Sequence, residues 1–319
     1  MAAWQGLSDW RRFPPAVFGA VFGLAGLSLL WLNVGPSLGL GQWLGWAFAL
    51  IVLGVYSVFL VAYARKFMQR PAVFIEDIDT IPGRLGAATM VLIPMLMSAA
   101  LAPVSPAVAT FLVFLTLTFQ AILAVIVVQR LLRGGGERRV TPVWHLVFVG
   151  FVVGTQASAL LGYHTLATLI LGATLFIALG VYGASLDAAR RANLPPPLRG
   201  LHVIHLAPFS LFGTTAMMLG LGATAVVFAV MATGIALFLL ARLRWMIEAG
   251  FSPAWGAFTF PVVAYTGLIR MVADLWPALN LVAWGLVAIV TLYVPVLAAR
   301  LILMCLDGRM AEATKAARA

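Results

Sequence analysis

Four histidines, one arginine–aspartate pair and two phenylalanines are the residues whose types and spacing could do chemistry inside this very apolar chain. His145, His164, His202 and His205 are its only histidines, the side chains that exchange a proton near neutral pH. His205 stands about one turn into an apolar segment and one turn before Pro208, so it is the histidine best placed to relay a proton. A satisfied interfacial histidine is the commoner role for such a residue, and it stays open. Arg270 and Asp274 are four residues apart, the spacing at which a helix brings a guanidinium to a carboxylate as a structural ion pair. Phe258 and Phe260 flank a threonine in Trp255-Gly-Ala-Phe-Thr-Phe-Pro261. A ring held immediately before a helix-breaking proline either packs against lipid or a neighbouring helix, or projects into a path and closes it.

The missing groups narrow the chemistry further. No Asp, Glu, Lys or Arg falls near the middle of any apolar run. The chain therefore has neither a buried carboxylate pair for acid–base catalysis nor the mid-membrane charge that proton- and sodium-coupled carriers usually keep. HExxH, GxSxG and an aspartate-rich diphosphate motif are absent, and Gly134-Gly-Gly136 has no following GK[ST], so it is a flexible turn. The lone Cys305 excludes an intrachain disulfide and a cysteine-based metal cluster. No catalytic residue, metal or cofactor is expected.

These residues must be positioned by membrane helices. Hydrophobic residues make up 63% of the chain and charged residues 9%, with a mean hydropathy of +1.05, against about 25% charged in an ordinary soluble domain. Apolar runs near the ~20 residues that span a bilayer recur along the whole length. We read ten spans, over 14–33, 41–64, 84–102, 106–129, 142–161, 164–187, 201–219, 221–241, 253–272 and 277–300. The reading is an all-α polytopic membrane protein in one transmembrane domain over residues 1–319, with a short arm over 1–13 and a tail over 301–319.

Charge orients the spans. Of the 20 Lys and Arg residues, all but Arg270 fall on the termini or on the connections after even spans. The positive-inside rule then puts both termini in the cytoplasm of a bacterial-type inner membrane, with every odd helix running outward. The net charge of +10 is thus a topology signal with some attraction for anionic lipid or solute, and nucleic acid is no expected partner. The odd spans begin near 14, 84, 142, 201 and 253, one hairpin every 50 to 70 residues. Five hairpins in the same orientation predict a quasi-fivefold arrangement about a central pore.

Proline and glycine separate the two sets of helices. Odd spans carry Pro94, Pro208 and Pro261, whereas even spans are nearly free of internal proline. A proline inside a helix deletes a backbone hydrogen bond and kinks it, which membranes tolerate where the helix is packed in protein or faces a watered cavity. Gly19, Gly23 and Gly26 stripe the first span, Gly150 and Gly154 the fifth, and Gly213 with Thr214 and Thr215 the seventh. Close helix packing explains the glycines as well as a path does. Kinks and small polar residues on the same set favour five inner helices lining a path, with five straighter helices outside.

Ten spans in five hairpins with basic inner connections resemble the tellurite-resistance/dicarboxylate transporter family, with its bacterial, fungal malate-transporting and plant slow-anion-channel branches. The likeness is sharpest at Leu161-Gly-Tyr-His164, Leu206-Ala-Pro208 and Trp255-Gly-Ala-Phe-Thr-Phe-Pro261. It implies a homotrimer in the lipid bilayer, each protomer with its own anion-selective pore, and a phenylalanine from the ninth helix blocking that pore. By alignment of the motif that ring is Phe260, with Phe258 as the fallback; Pro261 follows it, as in the plant pattern. At 1.5 Å per residue past Pro253, Phe260 would lie roughly 12 Å into the bilayer. The expected function is a passive channel or uniporter for small anions, with tellurite, chloride, nitrate, sulfite and malate all open. The alternative is a proton-coupled dicarboxylate exporter using His205. A membrane enzyme or a non-transporting scaffold stands as a third reading.

Overall fold

A computed structural model describes residues 10–191 and 193–319. The described residues form helices and no strands. Ten elements organise them: α1 (Phe18–Val34), α2 (Trp43–Gln69), α3 (Ile81–Leu101), α4 (Pro106–Leu132), α5 (Gly154–Leu160), α6 (His164–Arg191), α7 (Ala207–Met218), α8 (Gly222–Ala241), α9 (Phe260–Leu275) and α10 (Asn280–Leu306). Counted with their leading turns, nine segments among the described residues are long and apolar enough to cross a membrane. The tenth expected span, 142–161, is a shorter apolar helix over His145–Leu160. It is wound as a π turn over His145–Val149, a 3-10 turn over Gly150–Val153, and then α5.

That mixed winding has a local cause. Gln120 of α4 donates from Nε2 to the carbonyls of Leu146 and Val147, at 2.8 and 2.7 Å. A side chain that takes two carbonyls replaces amide donors that a regular helix would supply, and π turns form where the ladder is interrupted in this way.

The prolines differ from the expected interior kinks. Pro94 does lie inside α3. Pro208 and Pro261 instead fall in the first turns of α7 and α9, each preceded by a 3-10 stretch, Pro196–Leu206 and Pro253–Phe258. A first-turn proline costs little, because its missing N–H would have had no partner there. The chain breaks at Thr259, whose φ of −86° and ψ of −84° fit neither helix. A 3-10 helix rises about 2.0 Å per residue, so Phe260 sits about 14 Å past Pro253.

Packing sorts the elements by parity. α1 packs on α3, α3 on α5, α5 on α7, α7 on α9, and α9 back on α1, while each even helix lies against the odd helix before it. His145 meets His205, and Thr155 meets Thr215, both pairs 60 residues apart. A constant offset over ten residues means that the α5 and α7 segments run parallel and in register. At the end bearing the basic connections, Lys66 donates to the Phe13 carbonyl at 3.0 Å and to Asp77 at 2.7 Å. Asp77 also accepts from the Tyr63 hydroxyl at 3.0 Å and the Ala317 amide at 2.9 Å. Both charged side chains are out of water, and that is tolerable because each is hydrogen-bonded several times over.

Candidate functional site: a cavity divided by Phe260

Two cavities lie within the odd-numbered segments. The larger, about 380 Å³, opens toward the end away from the basic connections and is floored by Leu211 and Phe260. The smaller, about 20 Å³, has room for roughly one water and is lined by Phe22, Leu92, His145, Pro208, Leu211 and Phe260 among others. Phe260 and Leu211 border both. The ring, 4% exposed, therefore stands between a wide vestibule and a small pocket.

The backbone break positions the ring. Thr259 Oγ1 donates to the Gly256 carbonyl at 2.7 Å, within reach of the Gly19 carbonyl at 3.3 Å. Gly23 makes room for this: a Cβ there would stand 2.2 Å from that of Thr259. A Cβ on Gly26 would meet the Phe260 ring at 2.9 Å. The glycine stripe of α1 thus lets the break and the ring nest against that helix. Phe22 completes the seat, stacked on Phe260 with centroids 3.8 Å apart, an arrangement that favours aromatic pairs when the rings are offset.

Phe258 has a different place. Its ring packs against Trp255, with centroids 5.7 Å apart, and over Gly200, while its carbonyl accepts from the Tyr293 hydroxyl at 2.6 Å. It borders neither cavity.

The other expected residues divide. Gly150 and Pro208 line the small pocket and Thr214 the vestibule. Thr214 donates its only proton to the Ser210 carbonyl at 3.0 Å, so it faces the vestibule as an acceptor. Pro94, Pro261, Gly19, Gly23 and Gly154 stand behind the lining. Gly19 approaches Leu85, and Gly154 approaches Leu117 and Met95, as close packing requires. His205 is held against His145, Nδ1 to Nε2 at 3.0 Å, and its carbonyl accepts from the Tyr182 hydroxyl at 2.6 Å. His145, placed near a helix end by sequence reasoning, is 3% exposed and borders the small pocket. Sequence reasoning also passed over Gln156, which lines the vestibule; a single amide in the apolar run Gly154-Thr-Gln-Ala-Ser-Ala159 was the available signal.

Among the described residues no group of three or more metal-ligating side chains gathers. The lining offers neither a nucleophile–base pair nor a carboxylate pair. It offers a narrow apolar division beneath a wider, partly polar vestibule.

Residues 12–302 match the family model described as voltage-dependent anion channel. The chain belongs to this family. A relative, the tellurite resistance protein TehA homolog of Haemophilus influenzae, is 26% identical over 257 residues, covering 77% of each chain. The resemblance read from the sequence motifs is borne out, and the protein is a multi-pass membrane protein of a family of anion channels and transporters.

Proposed function

We propose that the chain, acting as one membrane domain, conducts small anions across a bacterial inner membrane through the space enclosed by its odd-numbered segments, with Phe260 as the closing ring. The observation that carries this reading is the shared border: Phe260 floors the vestibule and caps the pocket beneath it. The closed circuit of packing from α1 through α3, α5, α7 and α9 supports five parallel hairpins around a central path. α9 begins its α-helical winding at Phe260, just after the break at Thr259, so its positive end lies within the membrane and favours an anion without a fixed charge. Both termini lie in the cytoplasm, and the vestibule faces outward. The even helices present apolar side chains such as Phe111, Phe176 and Leu281 to lipid and to neighbouring copies in a homotrimer.

A second reading, proton-coupled export of dicarboxylates, draws on the His145–His205 contact beside the small pocket. A pair of imidazoles at hydrogen-bond distance can pass a proton between them.

Flux from proteoliposomes decides between them. Chloride, nitrate, tellurite, sulfite and malate are each tested with the intact protein and with Phe260→Ala, normalised to inserted protein. The channel reading expects a rise of about tenfold or more in Phe260→Ala, because the barrier is steric and dry, and no effect of a proton gradient. Conduction in Phe258→Ala without conduction in Phe260→Ala would move the gate to the other ring. Malate export that follows the proton gradient and loses that dependence in His205→Ala favours the second reading.

A further inference from the structure

The vestibule holds two groups that the closing ring does not use. Gln156 of α5 is 7% exposed and lines the cavity, and its carboxamide has no hydrogen-bond partner among the described residues. The carboxamide atoms are not sealed from the cavity, so the amide is free to donate to something inside it. Gln120 marks the contrast: also buried, it commits its amide to two backbone carbonyls. Of the neighbouring polar groups, Thr214 has given up its only proton and Asn33 donates one of its two to the Leu29 carbonyl at 2.7 Å.

Arg270 is the second group. It lies on the face of α9 that lines the vestibule, with Phe260, Val263, Ala264 and Gly267 below it. Ten residues of helix put it about 15 Å above the ring. Its guanidinium donates to Asp274 at 2.7 Å, reaches Asn280 at 3.5 Å, and lies 5.2 Å from the centroid of the Trp284 ring. The two hydrogen-bond contacts engage Nη2 and Nη1 and leave part of a five-donor group for a ligand. The Arg270 side chain is 15% exposed and the Asp274 side chain 64%, so the carboxylate sits at the mouth and the cation just inside it.

We infer that Arg270 and Gln156 are two successive binding stations for a small monovalent anion. Arg270 draws the anion into the mouth. The Gln156 carboxamide replaces part of its hydration in the vestibule interior, ahead of the ring. Asp274 weakens the first station, and a conducting site must release what it binds. The inference rests on the reading that the vestibule is one end of an anion path.

Two measurements test it. In planar bilayers the nitrate dependence of current is measured from each side, in the full chain carrying Phe260→Ala. Adding Arg270→Gln should raise the half-saturating nitrate concentration about tenfold from the vestibule side alone, as loss of a charge-assisted bond does. Arg270→Lys should fall between, and Asp274→Asn should shift the value the opposite way. Crystals of the otherwise unaltered chain soaked in bromide should show anomalous density at both stations, lost at the inner one in Gln156→Leu and retained at lower occupancy in Gln156→Asn. Unchanged nitrate dependence in Arg270→Gln, or bromide density unaltered in Gln156→Leu, overturns the inference. If bromide occupies both stations while Phe260→Ala carries no current, the closing ring has been misassigned and the stations stand.

Discussion

The odd and even helices are built from nearly the same apolar alphabet and differ in almost everything else. In the most apolar stretch of each membrane segment, 89, 72, 72 and 61% of residues are buried for the segments holding α1, α3, α7 and α9. For α2, α4, α6, α8 and α10 the shares are 22, 28, 28, 28 and 33%. The even helices are continuous α-helices, although α10 follows a 3-10 turn over Pro277–Leu279 and carries Pro295 in its interior. Of the odd segments, those of α5, α7 and α9 begin with long 3-10 or π windings, α1 follows a single 3-10 turn, and α3 carries an interior proline. Irregular backbone survives in a membrane where neighbouring protein re-satisfies its polar groups. The segments broken by 3-10 or π winding, those of α5, α7 and α9, are therefore all in the buried set.

Glycine shows the same division at atomic scale. A Cβ would collide or press closely at Gly19, Gly23, Gly26, Gly150, Gly154 and Gly213 on the odd segments. At Gly54, Gly172, Gly180, Gly234 and Gly285 on even helices it would meet nothing within 4 Å. One residue type mostly serves close approach in one set and is mostly spare in the other. Gly45 of α2, where a Cβ would stand 2.6 Å from the Leu32 amide nitrogen, and Gly267 of α9 are exceptions.

Substitutions can break or sharpen this contrast. The largest effect is expected where an even helix departs from its class. Lys66→Met leaves Asp77 buried without its cation and should cost about 3–5 kcal/mol, whereas Lys66→Met with Asp77→Leu should recover most of it. Thermal unfolding in detergent reads both, and an unaffected single variant would show that the pair is hydrated. Gly23→Ala follows at about 3 kcal/mol, since Thr259 cannot move without shifting the break; a neutral result would remove the seat assigned to α1. Phe258→Ala should cost about 2 kcal/mol through lost packing with no rise in nitrate flux. On an even helix, Gly180→Ala should change stability by under about 1 kcal/mol, in the favourable direction. Equal losses for Gly23→Ala and Gly180→Ala would erase the distinction between the sets.

Much of this was legible in the residues. Hydropathy located nine of the spans to within a few residues, because a bilayer-crossing helix demands an apolar run of ~20 residues and little else in a protein does. The prolines pointed to the odd set by their number, although among the described residues one lies inside an α-helix of each set, Pro94 in α3 and Pro295 in α10. They did not tell where the breaks fall: Pro208 and Pro261 read as interior kinks because sequence alone cannot reveal that a 3-10 stretch precedes each. The shortened fifth segment depends on Gln120, which contacts it across 26 residues of sequence, a distance no periodicity reports. The His145–His205 contact, 60 residues apart, was hidden for the same reason, although the hairpin repeat of 50 to 70 residues contained the offset. Phe260 could be chosen over Phe258 only by resemblance. In the structure the two separate by what they touch, one a cavity border and the other a helix junction.

If Phe260 is the closing ring proposed above, its stack on Phe22 makes the closed state a matter of occupancy in time. An aromatic pair contributes about 0.5–1.5 kcal/mol beyond its buried area, which corresponds to a roughly two- to tenfold change in an equilibrium constant. On the proposed reading, a ring held on this face by so modest an attraction would swing aside for a small, fixed share of the time, and the leak through a resting protein would be set by that duty cycle. Phe22→Ala should therefore raise the fraction of time spent open by a few-fold, without altering the size of each opening in single-channel records.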